Sequence, residues 1–373
     1  MEFLPLLEIC NVYQPQTIAK KTLTSTGKYP VYGANGIIGY HNAYNHAEEE
    51  VVMGCRGSCG AVHISRPQSW INGNAMVIHP NGKYPLTKLY LKYCLLSTNR
   101  DKVITGTAQP QITKQSLEGF LIPVCPPPKQ EQTVSKIEEL FSDIEHGLET
   151  LKQIKEKLAA YRQAVMKSAF DSQTNNIKKI KELCSVRVGI VIKPAQYYTD
   201  KKTGIRAFRS ANVKEFGVQD SDWVYLNKEG HQANKKSELQ QGDILIVRSG
   251  YPGTSCVVPP EYAGSNAIDI LIARPDISKI IPEYLCLFTN SPHGKKLVTK
   301  HKRGVAQAHL NVGEYSNLCI PVPSLKEQYE ICSKIGEKLT MCDTIDLAIN
   351  RAILQTSTLK QSILKKAFEG DLI

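Results

Sequence analysis

The chain has 373 residues and carries 46 Lys and Arg against 35 Asp and Glu, for a formal net charge of +11. Apolar residues make up 42% and charged residues 22%, which excludes a disordered chain and predicts two or three globular domains. No run of about 18 apolar residues exists and no secretory signal opens the sequence, so neither a transmembrane helix nor export is predicted. The eleven cysteines are scattered singly, which favours reduced thiols in a bacterial or archaeal cytoplasm over a disulfide framework.

The first predicted domain covers residues 1–127 and is basic, with 11 Lys and Arg against 7 Asp and Glu. Apolar β-type runs at 50–53 and 76–78, separated by glycine-rich stretches, predict strands, and the run 86–97 predicts a short helix. This pattern indicates a mixed α/β domain, although the order of strands does not follow from the sequence.

A long helix is predicted over residues 128–171, where 7 Lys and Arg nearly balance 8 Asp and Glu. Five apolar residues spaced by seven form one seam along it: Ile137, Ile144, Leu151, Leu158 and Val165. Ile154 and Tyr161 are expected to join the seam in its second half as the stripe drifts around the helix. A helix of about 43 residues is about 64 Å long, and such a seam needs a partner.

The second predicted domain, residues 172–323, is more basic, with 21 Lys and Arg against 13 Asp and Glu. Runs at 244–248 and 268–273 predict strands and 282–290 predicts a helix, so this domain is also mixed α/β. A second neutral helix is predicted over 324–373, with its seam at Ile335, Cys342, Ile349 and Ile363. The shared period and length predict that the two long helices pack on each other.

An internal repeat relates the two halves of the chain. Two segments return at an offset of 198: Ile122-Pro123-Val124 as Ile320-Pro321-Val322, and Ser135-Lys136-Ile137 as Ser333-Lys334-Ile335. Other matches have different offsets: Glu131-Gln132 with Glu327-Gln328, Arg56-Gly57-Ser58 with Arg248-Ser249-Gly250, and Asn74-Ala75 with Asn266-Ala267. A constant offset over several segments predicts a duplicated unit of one domain and one helix.

Signatures of several enzyme classes are missing from the sequence. It has no phosphate-binding P-loop, no His-Glu-x-x-His, no paired Cys-x-x-Cys, no Gly-x-Gly-x-x-Gly, and no Asp/Asn-Pro-Pro-aromatic motif of an amino-methyltransferase. Asp243 and Asp269 lie near predicted strands, where turn and cap roles are favoured over a nuclease role. We therefore expect a non-catalytic chain without a metal site.

A set of polar side chains suited to DNA remains. Arg pairs with guanine and Asn or Gln with adenine in the major groove, and Lys contacts phosphate. The first domain offers Lys20, Lys21, Asn35, Arg56, Ser58, Asn72, Asn74, Gln109 and Gln111. The second offers Arg206, Arg209, Asn212, Arg248, Ser249, Tyr251, Asn266, Arg303, Gln307 and His309. Two polar loops recur, at Arg56 and Arg248 and in the Gly-x-Ala-Gln of 106–109 and 304–307, which favours DNA contacts over solvated turns.

This layout resembles the specificity subunit of type I restriction–modification enzymes, in which two target recognition domains alternate with two conserved helical regions. The resemblance covers the whole chain and depends on the order of elements more than on one motif. The residues that carry the resemblance include the Ile-Pro-Val and Glu-Gln repeats, Gly242-Asp243-Ile244-Leu245-Ile246 before Arg248, and Lys365-Lys366-Ala367-Phe368 before Gly370-Asp371-Leu372. The first domain departs from the Gly-Asp pattern, having Glu49-Glu50 instead.

The resemblance implies two target recognition domains, at 1–127 and 172–323, and an antiparallel coiled coil of the helices 128–171 and 324–373, related by a pseudo-twofold repeat. It implies a cytoplasmic, non-catalytic reader of double-stranded DNA with a bipartite, asymmetric site. Partners would be two modification (methyltransferase) subunits and, where they exist, two restriction subunits. S-adenosylmethionine would be bound by the modification subunit, ATP and Mg by the restriction subunit, and no cofactor by this chain.

Two other classes of protein stay open at this point. A stand-alone DNA-modifying enzyme or nuclease with an unfamiliar motif would act on DNA as the pure chain. A structural adaptor, whose basic domains do not touch DNA, would lack the steep salt dependence that phosphate contacts produce.

Overall fold

The structure, a computed structural model, describes residues 2–98, 103–106, 109–170, 176–299 and 309–369. It divides into two compact units. Unit 1 comprises Met1–Lys152 with Ile349–Ile373, and unit 2 comprises Gln153–Ala348. Each unit therefore contains one globular part of the chain and portions of both long helices.

Unit 1 is built from short strands and helices that precede the first long helix. In chain order its elements are β1 (Glu2–Pro5), α1 (Leu6–Ile9), β2 (Cys10–Tyr13), β3 (Tyr29–Gly33), β4 (Gly36–His41), β5 (Val51–Gly54), β6 (Val62–Ile64), β7 (Trp70–Ile71), β8 (Ala75–Pro80), α2 (Lys88–Ser97), β9 (Leu121–Val124) and α3 (Pro127–Ser168).

The core of unit 1 lies on both faces of an antiparallel sheet of order β2-β8-β5-β6. Val51 and Met53 belong to the cluster that contains the buried side chains of α2. Val52, on the opposite face, packs with Tyr32 of a smaller sheet of order β4-β3-β7. Because both faces are covered, β5 is a continuous apolar run without polar alternation, which made the strand predictable.

Unit 2 follows with a longer set of elements. They are β10 (Ile177–Lys179), α4 (Ile180–Leu183), β11 (Cys184–Val188), β12 (Tyr198–Thr199), β13 (Ile205–Phe208), β14 (Val213–Lys214), β15 (Gly217–Val218), β16 (Val224–Leu226), α5 (Lys228–Ala233), β17 (Ile244–Val247), β18 (Ser255–Val257), β19 (Asn266–Ala267), β20 (Ile270–Pro275), α6 (Pro282–Asn290), α7 (Pro292–Thr299), α8 (Val312–Ser316), β21 (Cys319–Pro321) and α9 (Leu325–Glu369).

Unit 2 repeats the arrangement of unit 1, so the mixed α/β prediction is confirmed for both. A sheet of order β11-β20-β17-β18 corresponds to β2-β8-β5-β6, and β12-β16-β13-β19 takes the place of the smaller sheet. Ile244 and Ile246 pack with the buried side chains of α6, whereas Leu245 packs with Phe208. The parallel pair β13–β19 matches the parallel pair β3–β7. Unit 2 adds the hairpin β14–β15.

The helices α3 and α9 pair in antiparallel fashion within each unit. In unit 1, Glu145 of α3 forms an ion pair with Lys360 of α9 at 3.1 Å. In unit 2, Arg162 of α3 forms an ion pair with Asp343 of α9. Also in unit 2, Lys155 of α3 pairs with Asp346 of α9 at 3.7 Å, so earlier residues of α3 meet later residues of α9. The pairs Glu145–Lys360 and Arg162–Asp343 are related by the offset of 198, so each unit repeats the same helix contact.

The predicted seam is present on both helices. Ile137, Val165, Ile335, Cys342, Ile349 and Ile363 are all buried. Ile154 and Tyr161 were expected to join it, and this is wrong, since their side chains are 41% and 47% exposed. The seam keeps its seven-residue spacing through Leu158, so it does not drift toward those positions.

No helix in the described ranges is long and apolar enough to cross a membrane. The same residues bring together no group of three or more His, Cys, Asp or Glu that could hold a metal ion. All eleven cysteines are free thiols.

Candidate nucleic-acid interface

Four loops of unit 1 meet at one end of its central sheet. They are the turn 33–36 between β3 and β4, the loop 54–60 after β5, residues 72–74 before β8, and residues 103–106 with 109–112. Gly54 permits the close approach, because a Cβ atom there would overlap the carbonyl oxygens of Ala34 and Ser58. A residue without a side chain is therefore needed where the turn crosses the loop.

These loops are joined by backbone hydrogen bonds. The N–H of Cys55 donates to the carbonyl of Asn74 at 3.0 Å, and the carbonyl of Cys55 accepts from the N–H of Ile112 at 3.0 Å. Six predicted DNA-contact residues lie exposed on the joined loops: Asn35, Arg56, Ser58, Asn74, Gln109 and Gln111. The structure thus brings together residues that are more than 70 positions apart in the sequence.

Asn72 lies beneath this surface, with 5% of its area exposed. Its Oδ1 accepts a hydrogen bond from the N–H of Ile18 at 3.2 Å. A direct base contact by Asn72 is incompatible with this burial, so its expected role is corrected to positioning the backbone. Lys20 and Lys21 follow on the tethered segment, exposed on one 3₁₀ turn.

Unit 2 has a corresponding loop surface after β17. The carbonyl of Arg248 accepts from the N–H of Leu310 at 3.0 Å, and the Arg248 Nε donates to the carbonyl of Leu310 at 3.0 Å. Its Nη1 donates to Oδ1 of Asp269 at 2.6 Å. The Arg248 side chain is consequently only 15% exposed and is committed to contacts within the unit.

The outer layer of this second surface consists of other side chains. Ser249 Oγ and His309 Nδ1 are hydrogen-bonded at 2.7 Å, and both residues have solvent access. Tyr251 is 83% exposed on the same loop. Hydroxyl and imidazole groups, and not the guanidinium of Arg248, are therefore the accessible polar groups here.

The two loops share one backbone frame. Gly57 and Gly250 have φ of 76° and 78°, and Gly60 and Gly253 have φ of 79° and 87°. Both pairs are related by an offset of 193, in a region of φ that favours glycine. The N–H of Gly60 donates to the carbonyl of Gly54, as the N–H of Gly253 does to Val247.

This frame corrects the sequence match between the two arginine loops. At the offset of 193, Arg56 corresponds to Ser249, and Arg248 corresponds to Cys55. The carbonyls of Cys55 and Arg248 both accept from the segment that follows the Gly-x-Ala-Gln motif, which supports the assignment. The match of Arg56 with Arg248 is therefore wrong by one residue.

The register of the next strand corrects a second match. Gly54 pairs with Ala75 in unit 1, and Val247 pairs with Ile270 in unit 2. The residues just before those strands, Asn74 and Asp269, are thus equivalent. Asn266 lies earlier, in β19, so its match with Asn74 was accidental.

Asn266 and Asn212 are fully buried and cannot reach DNA in this structure. The Asn266 amide donates to Ser237 Oγ at 2.8 Å, and its Oδ1 lies 2.8 Å from His231 Nδ1. Asn212 donates to the carbonyl of Ser221 at 2.8 Å. Polar groups without access to water need such partners, so both asparagines stabilise the domain and their expected DNA contacts are corrected.

Arg206 of β13 and Arg209, which follows that strand, also make contacts within unit 2. Arg206 lies over the rings of Trp223 and Tyr262, with its guanidinium carbon 5.7 and 5.6 Å from the ring centroids. It lines a cavity of about 340 Å³ with Lys201. Arg209 Nη2 donates to the carbonyl of Asp222 at 2.6 Å. Arg303 and Gln307, also predicted to contact DNA, lie outside the described residues.

Sequence reasoning missed the segment that borders each loop surface. In unit 1, Gln14 Nε2 donates to the carbonyl of Gly73 at 3.1 Å. In unit 2, Ile190 accepts from the N–H of Asp269 at 3.0 Å, and Ile192 nearby is 80% exposed. No motif marks these residues; the only signal is the position just after β2 and β11.

Asp243 has a structural role at the opposite end of β17. It is 1% exposed and accepts from Arg187 and Arg274. Its hydrogen bond from Arg274 is the main reason that the pKa of that guanidinium is raised. Glu50, at the same place in unit 1, binds His79 at 2.8 Å. Glu50 thus takes the place of the Asp in the Gly-Asp pattern.

Fold and loops together define a duplicated protein that presents one loop frame twice with different side chains. A family model described as the type I restriction modification DNA specificity domain matches residues 1–156 and 173–355. The two matches cover most of the chain, and the chain belongs to this family.

Known relatives and solved structures are similar over much of the chain. The EcoBI specificity subunit of Escherichia coli is 25% identical over 288 residues, which cover 70% of this chain and 60% of that subunit. The EcoKI specificity subunit of E. coli strain K12 is 24% identical over 408 residues, covering 100% and 83%. A chain from a structural study of complex assembly and conformational transition of a type I R-M system has a TM-score of 0.76 at 17% identity, covering 99% and 98%. The last comparison shows a shared fold.

Proposed function

We propose that this chain is the DNA-reading specificity subunit of a type I restriction–modification enzyme, and that each unit reads one half of a bipartite site. The observation that carries the proposal is the duplicated loop frame. Arg56 and Gln111 in unit 1 occupy the positions of Ser249 and His309 in unit 2. Because the loop backbone is the same in both units, equivalent side chains would face the same groove of the duplex. Different donors and acceptors at these positions select different bases. The two half-sites should therefore differ in sequence.

The charge of the chain supports a polyanionic partner. The excess of positive residues lies in 1–127 and 172–323, which we propose as the target recognition domains, and not in the helices 128–171 and 324–373. Lys20 and Lys21 are exposed beside the loop surface of unit 1 and suit phosphate contacts. Binding to double-stranded DNA should weaken steeply with salt.

Catalysis would belong to partner subunits in a cytoplasmic complex. The proposal is that two modification subunits supply S-adenosylmethionine and methyl transfer, and that restriction subunits, where present, supply ATP- and Mg-dependent cleavage. Family membership and the likeness to a chain from an assembled type I system support this. The chain itself would position DNA and partners and carry no catalytic residue.

The test uses the full chain reconstituted with its cognate modification subunits. Gln111→Ala should relax reading of one half-site and His309→Ala the other, as mapped by the methylated motif across a genome. Gln132→Ala, exposed on α3, is the control and should leave the motif unchanged. If either variant alters both halves equally, or if the pure chain methylates or cuts DNA, the proposal is wrong.

We further propose that the paired helices set the gap between half-sites. Leu151 of α3 and Ile349 of α9 are equivalent by the offset of 198, so a seven-residue insertion after each preserves the seam. The insertion lengthens each helix by about 10.5 Å, or about three base pairs of B-DNA. The motif should keep its bases and gain a longer gap; an active variant with an unchanged gap contradicts this role.

A further inference from the structure

The two units differ at one place on their helix pair. In unit 1 the ring of Tyr93 packs edge-on against Phe141, with centroids 5.9 Å apart, and its hydroxyl donates to Glu138 Oε1 at 3.4 Å. Lys360 Nζ lies 5.1 Å from the Phe141 ring centroid. Burial, and then the carboxylate of Glu138, raise the pKa of Tyr93 to about 12, so its hydroxyl stays a donor. Aromatic side chains fill this place in unit 1.

The equivalent place in unit 2 is hollow. Tyr90 of α2 packs on Phe368 near the end of α9, and Tyr284 of α6 packs on Phe170 just after α3. These equivalent contacts align α2 with α6 at an offset of 194. At that offset Leu287 replaces Tyr93. At the helix offset of 198, Gly336 replaces Glu138 and Leu339 replaces Phe141. All three side chains are smaller, and a cleft of about 530 Å³ lies among them.

The cleft has an apolar floor and an acidic rim. Leu287, Ile335 and Leu339 are buried at its base, and the hairpin β14–β15 forms a wall through Phe216. The rim includes Glu283, which is exposed and has no ion pair among the residues that the structure describes. Asp343, Glu215 and Arg162 also line the rim, where Asp343 pairs with Arg162 and Glu215 pairs with Lys295. An apolar group that carries a positive charge would complement this cleft.

Two residues of the cleft, Gly336 and Phe216, reduce the stability of unit 2, and the packing around them does not require either one. Gly336 weakens the interior of α9, although no atom lies within 4 Å of a Cβ built there, so a side chain would fit. Phe216 has a φ of 64°, a conformation that is unfavourable for a bulky residue, and its ring is 37% exposed. Such strain is often found at functional sites.

We propose that the cleft is a docking site for an aromatic side chain of a partner polypeptide, next to a basic residue that pairs with Glu283. Unit 1 supplies the template for the aromatic group, because there the same space is filled by the rings of Tyr93 and Phe141. The basic residue is inferred from Glu283 alone, since the lysine of unit 1, Lys360, has its counterpart in Arg162, which already lines the cleft. The open mouth suits a side chain projecting from another chain, and buried aromatic anchors dominate the energy of many interfaces. The proposal rests on the proposed function in naming the partner as a modification subunit. It predicts that unit 2 offers the partner an anchoring cleft that unit 1 lacks.

The test fills the cleft of the full chain with larger side chains, as in unit 1. Gly336→Gln with Leu339→Phe should weaken binding of a modification subunit by about tenfold or more in titration calorimetry. Gly336→Gln alone, which places a side chain at the cleft and leaves Leu339 unchanged, is the second variant and should act in the same direction. Gly336→Ala strengthens the helix and leaves the mouth open, so it is the matched control and should bind normally.

The outcomes separate the two proposals. If the filled variants melt as high as the natural chain and bind the partner equally well, the cleft assignment is overturned while the proposed function stands. If the natural chain binds no modification subunit, the proposed function itself fails. In the complex, Thr340→p-benzoylphenylalanine should photo-crosslink beside an aromatic residue of the modification subunit. A crosslink only to a second copy of this chain, or none, overturns the assignment.

Discussion

Units 1 and 2 hold their long helices with the same buried side chain. Gln130 and Gln328 are both fully buried, and each accepts one backbone N–H and donates to two backbone carbonyls. The loop surfaces at the end of the sheets contrast with this. There Arg56 corresponds to Ser249, and Gln111 to His309, on a common backbone.

The contrast reflects what each side chain must satisfy. A buried amide that closes three hydrogen bonds has few substitutes, because its partners would be left unpaired. An exposed side chain on a glycine-defined loop can change without altering the backbone. The two copies therefore share this buried glutamine contact and differ at the exposed loops that we propose read DNA.

The largest expected effect comes from removing one of the two buried glutamines. Gln130→Ala leaves the N–H of Thr87 and the carbonyls of Pro85 and Cys125 without their partner, which should cost unit 1 about 3 kcal/mol of unfolding free energy. Hydrogen exchange of the full chain should show loss of protection in unit 1, and Gln328→Ala should do the same in unit 2.

Gln132→Ala is the control for this prediction. Gln132 is the residue that the sequence match places opposite Gln328, yet it is exposed. Its removal should leave exchange unchanged. Equal losses from Gln130→Ala and Gln132→Ala would mean that the structural equivalence is mistaken.

Long-range order along the helices was predictable, whereas loop equivalence was not. The seam residues recur every seven positions, and local periodicity is visible in the sequence. The offset between copies, however, is 193 at β5, 195 at β8 and 198 in the helices, because the connecting segments differ in length. Matching letters across such changes paired Arg56 with Arg248 and Gln132 with Gln328, each with the wrong residue.

Burial was the second property that residue type did not reveal. Asn35 and Asn74 are exposed on loops, as expected of DNA-contact residues, but Asn212 and Asn266 have no exposed surface. An asparagine can contact DNA from the surface, or it can form buried hydrogen bonds inside the domain. Only the sheet register, which the sequence does not contain in readable form, separates the two cases.

The next largest effect should come from Arg56, the accessible cation of the unit 1 loop. Arg56→Ala should cost about 1–3 kcal/mol in discrimination at one half-site and leave the other unchanged. Ser249→Ala, at the equivalent position, removes a neutral group and should have the smaller effect. Competition binding with oligonucleotides altered in one half at a time measures both.

Arg66→Ala is the matched control for Arg56→Ala. Arg66 is also exposed in unit 1 but follows β6, at the end of the strand away from the loop surface. It should alter neither half-site. A similar loss of discrimination from both arginines would indicate a general charge effect instead of base reading.

A smaller effect is expected from replacing one residue of unit 2, Asp269, with the residue found at the equivalent position of unit 1. Asp269→Asn introduces the residue found at the equivalent Asn74 and removes the charge that holds Arg248. Asp269 has a φ of 50°, which asparagine tolerates well, so the fold should persist. The freed guanidinium should raise DNA affinity several-fold and steepen the salt slope by about 0.9 for one added phosphate contact.

Asp276→Asn is the charge-matched control for this change. Asp276 follows β20 at the end opposite Asp269, where it pairs with Lys279 at 2.8 Å. Its neutralisation should alter neither affinity nor slope. Equal gains from the two variants would show that net charge alone, and not release of Arg248, is responsible.

The smallest expected effect is a difference in acid sensitivity between the units. Burial is the largest cause that lowers the pKa of both His46 and His63 in unit 1, although Glu50 opposes it at His46. Folded unit 1 thus binds fewer protons than its unfolded form near the ordinary histidine pKa of about 6.5, and its stability should fall as the pH drops through that value.

Hydrogen exchange at pH 7.5 and at pH 5.5 should show a few-fold loss of protection in unit 1. His46→Gln and His63→Gln should reduce the loss, whereas His293→Gln, exposed in unit 2, should not. If unit 1 loses no more protection than unit 2 on acidification, these two rings do not control its response to pH.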